Sequence, residues 1–210
     1  MSAASRPSTP ERTAAGAAPA AVLRKSRESA TTSEVFFAAE AERIVACCRA
    51  MASAFHAGGR LFAMGNGGSA CDAQHVAVEF MHPIIEKRPS LPALALSTDT
   101  AILTAVGNDQ DFSLAFSQQL ELLARPNDIA LGISTSGKSA NVNRALAVAR
   151  DLGLLTIGFT GRDGGWMPEL CAYCFTVPSF SIHRIQETHA TLLHVVWDLV
   201  HVIRGEEDVI

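Results

Sequence analysis

Leu61 to Phe80 reads LFAMGNGGSACDAQHVAVEF, an apolar run that meets a glycine-rich turn and then a helical pattern carrying polar side chains. The run suits a buried strand, and Gly65, Gly67 and Gly68 permit a positive φ or a close backbone approach. Ser69 or Asp72 is expected to cap the helix that follows. Amides left free at such a helix start attract anions and sugar hydroxyls. His75 and Glu79 stand four apart, which on a helix places them on one face with Cβ atoms about 5–6 Å apart. An isolated pair of this kind is usually a surface contact worth a few tenths of a kcal/mol. This pair, however, follows a glycine loop at the end of a strand, where open α/β sheets bind ligands. It is therefore a candidate grip for a metal or a substrate.

Upstream, Ser33 to His56 reads as a helix, with Ile44, Cys48, Met51 and Phe55 on one stripe and Gly58-Gly59 as its stop. Met1 to about Thr31 is rich in Ala, Ser, Pro, Thr and Arg and poor in large apolar groups. Such a segment buries too little to offset the entropy of ordering, so a flexible tail is expected. Downstream, strands are expected at 92–96, 129–133, 154–159 and 174–177. Helices are expected up to Gly107-Asn108-Asp109 and over 113–123, 141–152 and 184–203. Strands alternating with helices imply a parallel sheet covered on both faces, a three-layer α/β/α domain.

Composition narrows the function classes. The 210 residues carry 17 Lys and Arg against 21 Asp and Glu, a formal charge of −4, with no basic stripe beyond the tail. Nucleic-acid binding rests on clustered cations, so no nucleic acid is expected as a partner. No apolar run reaches membrane-span length and the first thirty residues lack the apolar core of a secretory signal, so a cytoplasmic protein without a membrane partner is expected. Five cysteines, Cys47, Cys48, Cys71, Cys171 and Cys174, fit a reduced compartment. Cys171-Ala-Tyr-Cys174 has redox or zinc-like spacing. It runs into a strand instead of opening a helix and has no second pair, so plain burial is expected.

Gly132-Ile-Ser-Thr-Ser-Gly-Lys-Ser139 satisfies the phosphate-loop pattern of nucleotide hydrolases and lies between a strand and a helix. Backbone amides, the hydroxyls of Ser134, Thr135, Ser136 and Ser139 and a helix start make a phosphate cradle in any protein. Nucleotide hydrolysis also needs an acidic residue at another strand end to hold magnesium, and Asp99 is a weak candidate. A loop so rich in hydroxyls better suits a sugar phosphate.

With GNGGSACDAQHVAVE, VGND, GISTSGKSAN, TGRDGG and HRIQETHATLLH in this order, the chain resembles the phosphoheptose isomerases of the sugar isomerase (SIS) domain superfamily, from about Ser33 to Val202. The resemblance implies a five-stranded parallel α/β/α sandwich, with residues 1–31 as tail and 32–210 as the SIS domain. It also implies a homotetramer with active sites at subunit contacts. The activity implied is aldose–ketose isomerisation of sedoheptulose 7-phosphate to D-glycero-D-manno-heptose 7-phosphate, a lipopolysaccharide precursor, often with zinc. Matched residue by residue, Asn66, Gly67, Gly68, Ser69, Asn108 and Asp109 would contact the sugar, and Ser134, Thr135, Ser136 and Ser139 would hold the phosphate. His75, Glu79, Gln186 and His194 would bind one zinc ion. Glu79 and His194 would also be the proton-transfer pair, while Glu79 and Gln186 would touch substrate.

The residue types suit that chemistry. Moving a carbonyl between C2 and C1 needs one group to take a proton from carbon and another to service the oxygens of an enediol. Gln186 and His194 are eight residues apart, about 12 Å along a regular helix, whereas zinc ligands stand within about 2 Å of the ion. A site needing more than one subunit is therefore expected. His189 and His201 are expected to be core histidines.

Three positions depart from the family pattern: His82-Pro83 where Gly-Arg is common, Lys138 where asparagine is common, and His183 where an acidic residue often stands. Lys138 is expected to supply the lost positive charge near the phosphate. A second class is open: a non-catalytic SIS-domain tetramer that binds protein, like the bacterial factor that associates with the replication initiator.

Overall fold

The computed structural model describes residues 11–84 and 87–208. Strands β1 (Leu61–Gly65), β2 (Ala93–Ala95), β3 (Ile129–Ser134), β4 (Leu155–Gly161) and β5 (Tyr173–Val177) form one parallel sheet in the order β2-β1-β3-β4-β5. All residues of β1 and β3 are buried. That is why these strands read as continuous apolar runs: helices cover both faces. At the edge, β2 exposes Leu94 between two buried alanines.

One face carries α1 (Glu11–His56), α2 (Gly68–Met81) and α6 (Ile182–Ile203), whose Ile44, Met51, Phe80, Leu192 and Val196 share a core with the sheet. The other face carries α3 (Thr100–Asp109), α4 (Ser117–Leu123) and α5 (Ala140–Asp151), with Phe116, Leu120, Val142 and Leu146 in a second core. The helices that follow the neighbouring strands β1 and β3 thus leave on opposite faces. This opens a crevice at the carboxyl ends of those strands, the place where doubly wound sheets take ligands. At the other end of the same strands, Asp128 ties them together: its Oδ1 accepts the Arg60 amide at 2.7 Å and its Oδ2 pairs with Arg60 Nη2 at 2.7 Å.

The expected three-layer α/β/α sandwich is present, with three local corrections. Residues 11–31 continue α1 and are not an irregular tail; residues 1–10 lie outside the described residues. This segment is alanine-rich, which favours helix, and it docks on α6 through polar contacts. Ser29 donates to Glu187 at 2.6 Å and the Arg184 guanidinium donates to the Lys25 carbonyl. The helix expected over 113–123 is broken, because the Asp111 side chain accepts the Ser113 amide at 2.7 Å and starts a separate 3-10 turn, Phe112–Leu114, before α4. Neither Ser69 nor Asp72 caps α2. Gly67 is its N-cap and makes no side-chain cap bond.

Candidate active site

The turn after β1 sets the entrance to α2. Gly68 brings α2 close to α6: a Cβ there would stand 2.2 Å from the free end of the Gln186 side chain, at Nε2. Seven residues on, the His75 ring meets His194 with centroids 4.8 Å apart, and five further on Phe80 stacks on His201 at 6.1 Å. These three pairs step together along both chains, so α2 and α6 lie side by side and run in the same direction. Their shared seam carries the chemistry.

On that seam His75 Nε2 lies 3.3 Å from Glu79 Oε1 and 3.2 Å from His194 Nε2. One donor atom from each of the three residues lies within 4.8 Å of the other two. His75 and Glu79 are half-buried and His194 is exposed, open to a small molecule. Asp72 stands one turn before His75, with its Oδ2 buried and unpartnered. Burial pushes its carboxyl up to about 6, against a lowering pull from His75. An acid that titrates there adjusts the charge beside the imidazoles.

Across the crevice, Asn66 at the end of β1 and Asn141 in the first turn of α5 exchange two amide hydrogen bonds, 2.8 and 2.9 Å long. Ser134, buried at the end of β3, shares a 2.8 Å hydrogen bond with Ser139, the N-cap of α5. The loop between them turns at Gly137 (φ 63°), where a Cβ would stand 1.9 Å from the Gly164 carbonyl oxygen. The Trp166 amide donates to the Gly137 carbonyl at 3.0 Å, and Asn143 Nδ2 donates to the same carbonyl at 3.0 Å. The loops after β3 and β4 therefore brace each other, and the Ser134 and Ser139 hydroxyls meet at a helix start suited to an anion, with Thr135 and Ser136 in the loop between them.

Residues 26–161 match the family model of the SIS domain. Phosphoheptose isomerase of Aquifex aeolicus (strain VF5) is 49% identical over 174 residues, covering 83% of this chain and 91% of that one. The chain belongs to the phosphoheptose isomerase family. A second member, from Desulfovibrio desulfuricans, is 49% identical over 178 residues and 85% of each chain. The solved structure of phosphoheptose isomerase from Neisseria gonorrhoeae superposes with a TM-score of 0.81 at 37% identity, covering 87% of this chain and 97% of that one. That from Francisella tularensis gives 0.81 at 34% identity, with 88% and 98% covered.

Within this family member the structure unites some of the expected site residues and separates others. His75, Glu79 and His194 meet inside one chain, without a second subunit. Gln186 lies on the same seam, its side-chain amide against Gly68 at the start of α2. Asn108 and Asp109 end α3 in exposed positions, where Asn108 Nδ2 donates to Asp109 Oδ1 at 2.7 Å. Among the described residues no hydrogen bond ties them to the α2–α6 seam. Lys138 Nζ lies 3.3 Å from Asp163 Oδ2, not on the serine hydroxyls, and both side chains are exposed. Asp99, the one carboxylate considered for magnesium, caps α3, its Oδ1 accepting the Ala101 and Ile102 amides. His189 and His201 are fully buried, as core histidines are.

Two residues not anticipated as site components emerge. Asn141 lies in the GISTSGKSAN stretch, but its pairing depends on β1 and β3 being neighbours, which local sequence does not state. Asp72 precedes His75 by three, a spacing that puts both on one helix face.

The donor set fits a tetrahedral cation. Ligands about 2.0–2.1 Å from zinc stand about 3.3–3.4 Å apart; His75 is 3.2 and 3.3 Å from His194 and Glu79, and the third pair lies within 4.8 Å. Two imidazole nitrogens and a carboxylate are also zinc's preferred partners, with a fourth position left for substrate or a further ligand.

Proposed function

We propose that this SIS-domain chain interconverts sedoheptulose 7-phosphate and D-glycero-D-manno-heptose 7-phosphate by proton transfer through an enediol. The observation that carries the reading is the meeting of Glu79 with His194 and His75 on one seam. A carboxylate can take the proton from carbon, and an imidazole across the seam can move protons to and from the substrate oxygens. Ser134, Thr135, Ser136 and Ser139, with the first-turn amides of α5, hold the phosphate and so fix which carbons face Glu79. Asn66, Gly67, Gly68 and Ser69 line the sugar side, and Asn141 orients the Asn66 amide.

His75, Glu79 and His194 would hold one zinc ion, which would polarise the carbonyl and stabilise negative charge on the enediol oxygens. Gln186, Asn108 and Asp109 complete the site once subunits associate as a homotetramer. In support, Val78 and Met81 on α2 and Leu94 at the sheet edge expose apolar surface that a neighbour would cover. No helix among the described residues is long and apolar enough to cross a membrane, which is consistent with a cytoplasmic enzyme supplying a lipopolysaccharide precursor. A non-catalytic protein-binding role leaves the converged carboxylate and imidazoles without a task.

The test is incubation of the purified protein with sedoheptulose 7-phosphate, with and without zinc, followed by separation of the two isomeric sugar phosphates. Turnover should fall by about 10²- to 10⁴-fold in Glu79→Gln and in His194→Gln. Full turnover in both variants, or none in the native protein on any heptose phosphate, would reject the reading.

A further inference from the structure

The Cys171/Cys174 pair lies away from the α2–α6 seam, where the isomerase reading gives it no role. Cys174 sits in β5 opposite Gly158 of β4, and Cys171 precedes it in the turn that enters the strand. Gly158 lies in the middle of a buried strand, where glycine is costly. The space it leaves is filled by sulfur: a Cβ there would stand 2.9 Å from Cys171 Sγ and 3.2 Å from Cys174 Sγ, with Met167 Cε also at 2.9 Å. The two thiols therefore converge on one small gap. Cys171 is half-buried and Cys174 is 8% exposed, so the pair is open to a small reagent through Cys171.

The surroundings treat the two sulfurs differently. The neighbouring Cys171 thiol, the Thr176 hydroxyl and the Arg43 guanidinium hold the Cys174 thiol below its ordinary value, against burial and the Glu40 carboxylate. Arg43 is fixed in place, donating from Nη2 to the Cys174 carbonyl at 3.0 Å and lying over the Phe175 ring at 5.5 Å. By contrast, burial pushes both the Cys47 and Cys48 thiols up, which keeps them inert.

We propose that Cys171 and Cys174 are a redox-active dithiol that a hydroperoxide converts into an intramolecular disulfide. The Cys174 thiolate attacks one peroxide oxygen; the S–O bond forms, the O–O bond breaks, and the departing hydroxide (or alkoxide) takes up the thiol proton. Cys171 sulfur then attacks the Cys174 sulfenic acid; the S–S bond forms, the S–O bond breaks, and hydroxide leaves with the Cys171 proton as water. The two sulfurs lose two electrons and the peroxide gains two. A thiol reductant reverses the change.

The test uses the full-length native chain and its Cys71→Ser variant, which removes the exposed thiol on α2. Each is treated with hydrogen peroxide, alkylated and mapped by mass spectrometry. The expected result is simultaneous loss of the Cys171 and Cys174 thiols, a linked peptide lighter by two hydrogens, and full recovery with dithiothreitol. In Cys171→Ser the reaction should stop at a Cys174 sulfenic acid that dimedone captures. Cys171 and Cys174 both staying alkylatable while Cys71 of the native chain oxidises would overturn the proposal, as would a Cys174 sulfinic acid formed in the native chain without any link.

Discussion

His75 Nε2 and His194 Nε2 stand 3.2 Å apart although 119 residues separate them in the chain. Two imidazole nitrogens this close either share one proton or turn both lone pairs towards a cation. The Glu79 carboxylate, 3.3 Å from the same His75 nitrogen, favours the cation. The purified chain is therefore expected to bind one zinc per protomer, measurable by titration calorimetry and by metal analysis. His75→Gln should weaken binding at least tenfold, and a chelator should remove turnover that added zinc restores. Zinc bound equally well by His75→Gln would remove the metal from the site.

Gly68 and Gly137 both leave little room for a Cβ, but what it would strike differs. At Gly68 the obstacle is the free end of the Gln186 side chain, 2.2 Å away, which can swing aside. Gly68→Ala should leave the melting temperature within a few degrees while displacing Gln186, and kcat/KM should fall by about 10²-fold. At Gly137 the obstacle is the Gly164 carbonyl oxygen, 1.9 Å away, and φ is 63°. Backbone cannot step aside cheaply, so Gly137→Ala should lose on the order of 3 kcal/mol of stability. Equal stability of the two variants in urea titration would contradict this geometry.

Lys138 poses a choice between two anions. Its ion pair with Asp163 is exposed at both ends, and pairs of that kind contribute about 0–1 kcal/mol. A substrate phosphate bound by the neighbouring hydroxyls carries more charge, so the ammonium is expected to swing over to it. Lys138→Ala should then raise KM for the sugar phosphate several-fold, leave kcat in place and barely change stability. An unaltered KM would keep Lys138 on Asp163 and leave the phosphate to the hydroxyls and amides alone.

What the sequence made legible follows from how each feature is encoded. The five strands could be read because a sheet covered on both faces imposes apolar runs such as 129–133, whose pattern is local. The pair His75 and Glu79 could be read because helical spacing is local too. His194 required the family resemblance, since nothing in its own neighbourhood says that α6 lies along α2. The first part of α1 was missed because it is held by Ser29 on Glu187 and Arg184 on the Lys25 carbonyl. Polar contacts across more than 150 residues leave no apolar stripe. The Asn66–Asn141 bridge was hidden for the same reason, being a consequence of sheet order.

Acid should destabilise the fold through two histidines outside the site. His189 is fully buried with Nε2 on the Thr160 carbonyl at 3.0 Å, and burial pulls its pKa down to about 4. His201 is fully buried between Phe80 and Trp197, and burial together with Arg88 and Arg204 pulls it down to about 4 as well. Both are neutral when folded, so the unfolded chain binds more protons between about pH 6.5 and 4, and stability is lost as pH falls through that window. Each shift corresponds to on the order of 3 kcal/mol. Asp72, raised to about 6, works in the opposite sense. The folded chain binds its proton more readily from about 6 down to the ordinary 3.8, which offsets about one histidine. The remainder should lower the melting temperature by several degrees between pH 7.5 and 5, measured by calorimetry. In His201→Phe the ring keeps its stacking partners and loses nitrogens that have no hydrogen-bond partner. That variant should fold and show a shallower loss across the same window, whereas an unchanged pH slope would mean that His201 is not held neutral.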